Sequence, residues 1–206
     1  MATTAPSRDA TTVMLRSRGI RLAVLIVVWD VIEGVVAVTA GLASGSIALV
    51  GFGIDSSIEV FAALVVLWQL RGGARARQRP ALRAISATFF LLAVYVAVEA
   101  VRELAAGADA DESIIGIVLN VVALVVMLPV AVAQWRTGRQ LGNDVLVAQA
   151  KETWLSNALS VNALVGLGLN AAIGWAWADP AVALVVAGFA VYAGVDAWRE
   201  AGEQTR

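Results

Sequence analysis

The chain has 206 residues, 60% of them hydrophobic, with 15 basic and 16 acidic side chains, no cysteine, no histidine and a mean hydropathy of +0.80. A soluble domain seldom exceeds about half apolar residues, so this composition is that of an integral membrane protein. Without Cys or His there is no disulfide, thiolate zinc site or Ser-His-Asp hydrolase, and a net charge of −1 gives no nucleic-acid signature.

Residues 1–18 are polar and Thr-rich and read as a short disordered tail. Six apolar segments follow, near 20–41, 46–70, 81–104, 113–135, 145–172 and 178–198. Each approaches the ~20 residues that cross ~30 Å of hydrocarbon as a helix. Arg16, Arg18 and Arg21 before the first segment resemble the start of a signal peptide, and Val38-Thr39-Ala40 a cleavage site. The apolar run is too long for that reading, and Asp30 and Glu33 interrupt it, so a retained helix is expected. Gly41–Gly45 makes the first connection a tight hairpin. Pro80 fits the first turn of the third span. Pro129 should kink the fourth, and Asp179-Pro180 reads as N-cap and N1 of the sixth.

Arginine and lysine set the orientation. Arg8, Arg16, Arg18 and Arg21 precede span one; Arg71, Arg75, Arg77, Arg79 and Arg83 lie between spans two and three. Arg136, Arg139 and Lys151 flank the fourth connection, and Arg199 and Arg206 follow span six. Only Arg102 falls on the other side, beside Asp109-Ala110-Asp111-Glu112. The expected fold is therefore all-α: a polytopic six-helix transmembrane bundle with both termini cytoplasmic. Trp68, Trp135 and Trp198 at one level and Trp175 and Trp177 at the other read as interfacial belts. The expected domain covers 19–200, leaving residues 201–206 as a short tail, and function is expected inside the membrane.

Ionisable groups within a span mark pathways or binding sites. Glu99 and Asp196 lie near helix ends, and Glu99 reads as an i,i+3 partner of Arg102. Asp55 and Glu59 are different: they sit well inside span two, one turn apart on one face. If spans two and five pack antiparallel, Asp55 comes level with Ser156 and Glu59 with Glu152, with Asn157 nearby. Three carboxylates in a low-dielectric site need a cation or protons to neutralise them. A divalent metal meets that need, while a proton relay or a structural role remains open on spacing alone. Asp30 and Glu33 read as auxiliaries, or as partners of Asn120 or Asn162.

The run "GLASGSIALVGFGIDSSIEVFAALVVLW" (41–68) resembles the second transmembrane helix of the cation diffusion facilitator, or cation efflux, family. Residues 148–187, "AQAKETWLSNALSVNALVGLGLNAAIGWAWADPAVALVVA", are similar to its fifth and sixth helices. The resemblance implies metal ligands at Asp55 and Glu59, with family ligand positions falling on Glu152 and on Ser156, where the family has a carboxylate. It points to the short, tail-less subgroup similar to transmembrane protein 163. The implied activity is export of a divalent cation, zinc first and manganese or a similar ion next, by proton-coupled alternating access. The implied partners are the bilayer, the metal ion, protons and a second copy in a homodimer, at the plasma membrane. No tightly bound cofactor and no nucleic acid are expected. Two other readings use the same acids: a non-transporting membrane scaffold or regulator, and a proton-coupled carrier of a small organic cation. An enzyme is not expected, since no nucleophile–base pair can be assembled without Cys or His.

Overall fold

Hydrocarbon offers a backbone no hydrogen-bond partner but itself, and this chain meets that constraint as helix. A computed structural model describes residues 8–44, 47–72, 75–106, 114–175 and 177–203. Six helices follow in order: α1 (Arg8–Ser44), α2 (Ile47–Arg71), α3 (Gln78–Ala106), α4 (Ile114–Leu141), α5 (Asp144–Ile173) and α6 (Ala178–Glu203). Five of them, all but α5, are long and apolar enough to cross a membrane. The sixth, α5, spans 30 residues and carries Gln149, Glu152, Thr153, Asn157 and Ser160 as buried polar groups.

Cross-helix contacts fix an up-and-down arrangement. At the end holding the chain termini, Arg16 Nε donates to the Leu70 carbonyl, joining the start of α1 to the end of α2. There too Ser86 Oγ of α3 donates to the Gly194 carbonyl of α6, and Lys151 pairs with Asp196 at 2.6 Å. At the opposite, loop end, Asn162 of α5 donates to both the Asp179 carboxylate and its carbonyl on α6. The main core lies toward the termini end, where Val66, Leu70, Leu82, Ile85, Phe89 and Leu146 are almost fully buried.

The turn between α4 and α5 needs only Gly142 and Asn143. Gly142 takes φ 61°, a left-handed conformation that suits glycine. Asn143 caps α5 by accepting from the Leu146 amide at 2.9 Å, and its Nδ2 donates to Gln69 Oε1 of α2 at 3.0 Å. One residue thus starts α5 and ties it to α2.

Several boundaries depart from the sequence expectations. α1 begins at Arg8, inside the stretch expected to be disordered, because Leu15 is buried and Arg16 anchors to α2. α6 begins at Ala178, so Asp179 lies inside the first turn and accepts from Asn162 instead of capping. Pro129 lies inside α4, as expected, within a continuous helical assignment. The Gly45 part of the first connection and the acidic loop at 109–112 lie outside the described residues.

The tryptophans read as belts sit toward the two ends of the bundle. Trp68, Trp135 and Trp198 are exposed near the termini end, with the guanidinium groups of Arg77, Arg139 and Arg83 at 4.8, 6.0 and 5.3 Å from their respective rings. Trp175 and Trp177 meet at 5.6 Å at the loop end.

α1 and α2 pack along their length, and at one level their backbones nearly touch. A Cβ placed on Gly53 would come 3.2 Å from the Gly34 carbonyl oxygen and collide with Val38 Cγ2. A Cβ on Gly34 would come 3.3 Å from Ser56 Cβ. Small residues serve this close approach in membranes, where helices gain nothing by hiding from lipid. Gly53→Val is expected to lower stability by about 3 kcal/mol, since overpacking outweighs the few tenths gained in helix propensity. Asn143→Ala is expected to cost about 1–2 kcal/mol through the lost cap. Thermal unfolding of the purified protein in micelles, followed by tryptophan fluorescence, measures both.

Candidate metal centre

The buried face of α1 reads Leu15, Gly19, Ala23, Ile26, Asp30, Glu33, Ala37, Gly41, stepping by three and four residues. Its other faces carry Val24, Leu25, Val28, Val31, Ile32 and Val35, all exposed to the surroundings. Asp30 and Glu33 therefore point into the bundle, not into lipid. The same holds on α2, where Asp55, Ser56 and Glu59 are buried between exposed Ile54 and Phe61. Glu152 on α5 is 1% exposed. Five carboxylates from three helices thus share one interior, each more than nine-tenths buried.

α2 and α5 meet through these side chains. Ser156 Oγ donates to Asp55 Oδ2 at 2.8 Å, which sets the two helices in the register expected from their sequences. Asp55 Oδ1, Glu59 Oε1, Glu33 Oε1 and both carboxylate oxygens of Asp30 and Glu152 have no hydrogen-bond partner. Among the described residues none of the five forms a salt bridge, since the ion pairs present are Arg102–Glu99 and Lys151–Asp196. Glu59 stands within electrostatic range of Asp30, Asp55, Glu152 and Glu33. Buried carboxylates in such numbers, with no arginine or lysine to compensate them, are costly unless a cation or protons arrive.

Two cavities adjoin the acids. A small one of ≈ 10 Å³, about the size of a single water, is bounded by Glu33, Asp55, Glu59, Ser156 and Asn157. A larger one of ≈ 170 Å³ runs from Asp55 and Ser156 past Tyr95 to Glu99, Glu103 and Asp179 at the loop end. Toward the termini end the acids rest on Ile26, Ala63, Met127 and Val130, and beyond them on the main core. Two amide pairs, Gln69–Asn143 and Gln134–Gln149, lie in that packed half.

The expected pocket of Asp55, Glu59, Glu152 and Ser156 is therefore present only in part. Asp55, Glu59 and Ser156 border one cavity; Glu152 lies beside them but faces Thr88 of α3. Among the described residues, no three acids stand in metal-ligating geometry. Asp30 does not border the small cavity, whereas Glu33 does. Neither pairs with Asn120 or Asn162, whose amides donate to Gly116 and Asp179 instead. Asn157 borders the cavity with its Nδ2 committed to the Thr153 carbonyl at 2.7 Å. Tyr95 went unnoticed in the sequence, and Asp179 was read there only as a helix cap. The Tyr95 hydroxyl fills the space where Gly51 lacks a Cβ, a signal visible only once α2 and α3 are in register. Glu99 does bond Arg102, yet also borders the larger cavity.

The absence of native cysteine makes the larger cavity testable. Ala163→Cys and Ala183→Cys, which line it, are expected to react with a membrane-impermeant thiol reagent at least about tenfold faster than Ala148→Cys in the packed half. Mass spectrometry of the labelled protein gives the rates.

Comparison with known proteins bears on the family of the chain. The sequence profile of the cation efflux transmembrane domain matches residues 81–204, covering α3 to the end of α6 and thus Glu152 and Ser156. Asp55 and Glu59 lie outside the matched stretch. The uncharacterized transporter sll1263 of Synechocystis sp. is 26% identical over 168 residues, which cover 76% of this chain. The chain spans about half, 54%, of that relative's length. A match over most of the chain, on a helical bundle with an acid-lined interior, carries one conclusion: the chain belongs to the cation efflux family.

Proposed function

We propose that the chain is a divalent-cation transporter that passes its ion through a site formed by Asp55, Glu59, Glu152 and Ser156. The observation that supports it best is the set of partnerless carboxylate oxygens midway along α2 and α5, of which Asp55 lines a cavity rising to the loop end. Zinc is the first choice and manganese or a similar ion the next. The donors are all oxygen, which zinc accepts from Asp and Glu and which suits manganese well.

The arginines at the termini end support a cytoplasmic assignment of that end by the positive-inside rule. On that reading the packed half faces the cell interior and the larger cavity faces outward. Transport is then an alternation between two arrangements of the bundle. Opened inward, the acids lose protons and take a cation. Rearranged as described here, they release it toward Glu99, Glu103 and Asp179, and protons from outside replace it. The coupling follows from charge: a buried cluster with no basic partner must exchange one neutralising species for another. The chain is proposed to work as a homodimer in the plasma membrane.

Proteoliposomes loaded with a metal-sensitive dye test the proposal. Wild-type protein should carry Zn²⁺ or Mn²⁺ faster with an opposing proton gradient, and Asp55→Ala or Glu59→Ala should reduce flux at least about tenfold. Absence of flux with wild type, unchanged in Asp55→Ala, would leave a scaffold or regulator. Glu152→Gln is expected to weaken Zn²⁺ binding about tenfold in calorimetric titration, and equal heats would remove Glu152 from the site.

A further inference from the structure

We propose that Glu33 of α1 is a direct ligand of the transported cation, supplying the carboxylate that α5 lacks at Ser156. The inference rests on the metal-transport reading and adds a helix to its site.

Three observations carry it. First, Glu33 is 5% exposed and its Oε1 has no partner. Second, Glu33 borders the small cavity together with Asp55 and Glu59, while Asp30, three residues earlier on the same face, and Glu152 do not. Third, the backbone contact at Gly34 and Gly53 draws α1 against α2 beside Glu33, so that Ser56 and its neighbour Asp55 lie next to the α1 carboxylate. A side chain at either glycine would hold the helices apart and lift Glu33 away from the cavity.

The chemistry of Ser156 points the same way. Its hydroxyl is neutral and its proton is given to Asp55 Oδ2. Ser156 therefore positions Asp55, leaving Oδ1 without a partner at the cavity wall. A hydroxyl in that role is a poor replacement for a charged ligand, because a divalent ion inside lipid needs negative charge as well as lone pairs. Glu33, Asp55 and Glu59 provide three carboxylates from two closely packed helices. The three line one cavity without standing in ligating geometry as they lie, so binding requires their side chains to change rotamer toward the ion.

Isothermal titration of the full chain in nanodiscs with Zn²⁺ and with Mn²⁺ tests this. Glu33→Gln should raise Kd at least about tenfold, and Asp55→Ala should abolish binding. Adding Ser156→Asp to Glu33→Gln should restore affinity to within about threefold of wild type, because the missing carboxylate returns from α5. Wild-type affinity in Glu33→Gln, with binding lost in Asp55→Ala, would overturn the role of Glu33 and leave the transport site standing. Identical titrations of wild type and Asp55→Ala would overturn the parent reading and this one with it. A second measurement avoids substitution: wild-type protein is modified with a hydrophobic carbodiimide and mapped by mass spectrometry. Saturating Zn²⁺ should slow modification of Glu33 and Asp55 together. Protection of Asp55 with none at Glu33, or weak binding in Glu33→Gln that Ser156→Asp does not rescue, would assign Glu33 a structural role instead.

Discussion

Buried carboxylates without basic partners are the constraint around which this bundle is arranged. Five carboxylates lie more than nine-tenths buried, and among the described residues no arginine or lysine pairs with any of them. Such groups destabilise a fold by several kcal/mol each when ionised without a partner. Apolar packing alone has no use for five such groups on three facing helices, since leucine would fill the same space without that cost.

The rest of the architecture serves to hold these acids together at one end and leave them approachable from the other. Around Gly34 and Gly53 the first two helices touch backbone to backbone, which sets Glu33 near Asp55. Ser156 then fixes Asp55 against α5, and Asn143 fixes the start of α5 against α2. Close-packed leucines, valines and alanines fill the half near the termini, whereas the loop-end half keeps a cavity lined by Tyr95, Asn162 and acids. The asymmetry is one of residue size and polarity along the same helices, not of separate domains.

Much of this was legible in the chain itself. Six helices follow from run length, five of them long and apolar enough to cross a membrane, and the alignment of Asp55 with Ser156 follows from 1.5 Å per residue along two antiparallel helices. Burial of Asp30 and Glu33 on the inner face of α1 is written in the three-and-four spacing of Leu15 through Gly41, though only knowledge of which stripe faces inward makes it readable. What spacing cannot give is rotation. Glu152 lies level with Glu59 but turns toward Thr88, and Glu33 instead of Asp30 reaches the small cavity. A few tens of degrees about a helix axis decide such matters, and long-range packing sets them. The helical start at Arg8 was hidden for a similar reason: polar, Thr-rich sequence signals a tail until the anchor on Leu70 is seen.

The amide pairs in the packed half, Gln69–Asn143 and Gln134–Gln149, have a consequence of their own. Amides carry no net charge at any physiological pH, and salt hardly weakens them. Contacts made of such groups hold α2 and α4 to α5 with a strength that hardly changes with acidity or ionic strength.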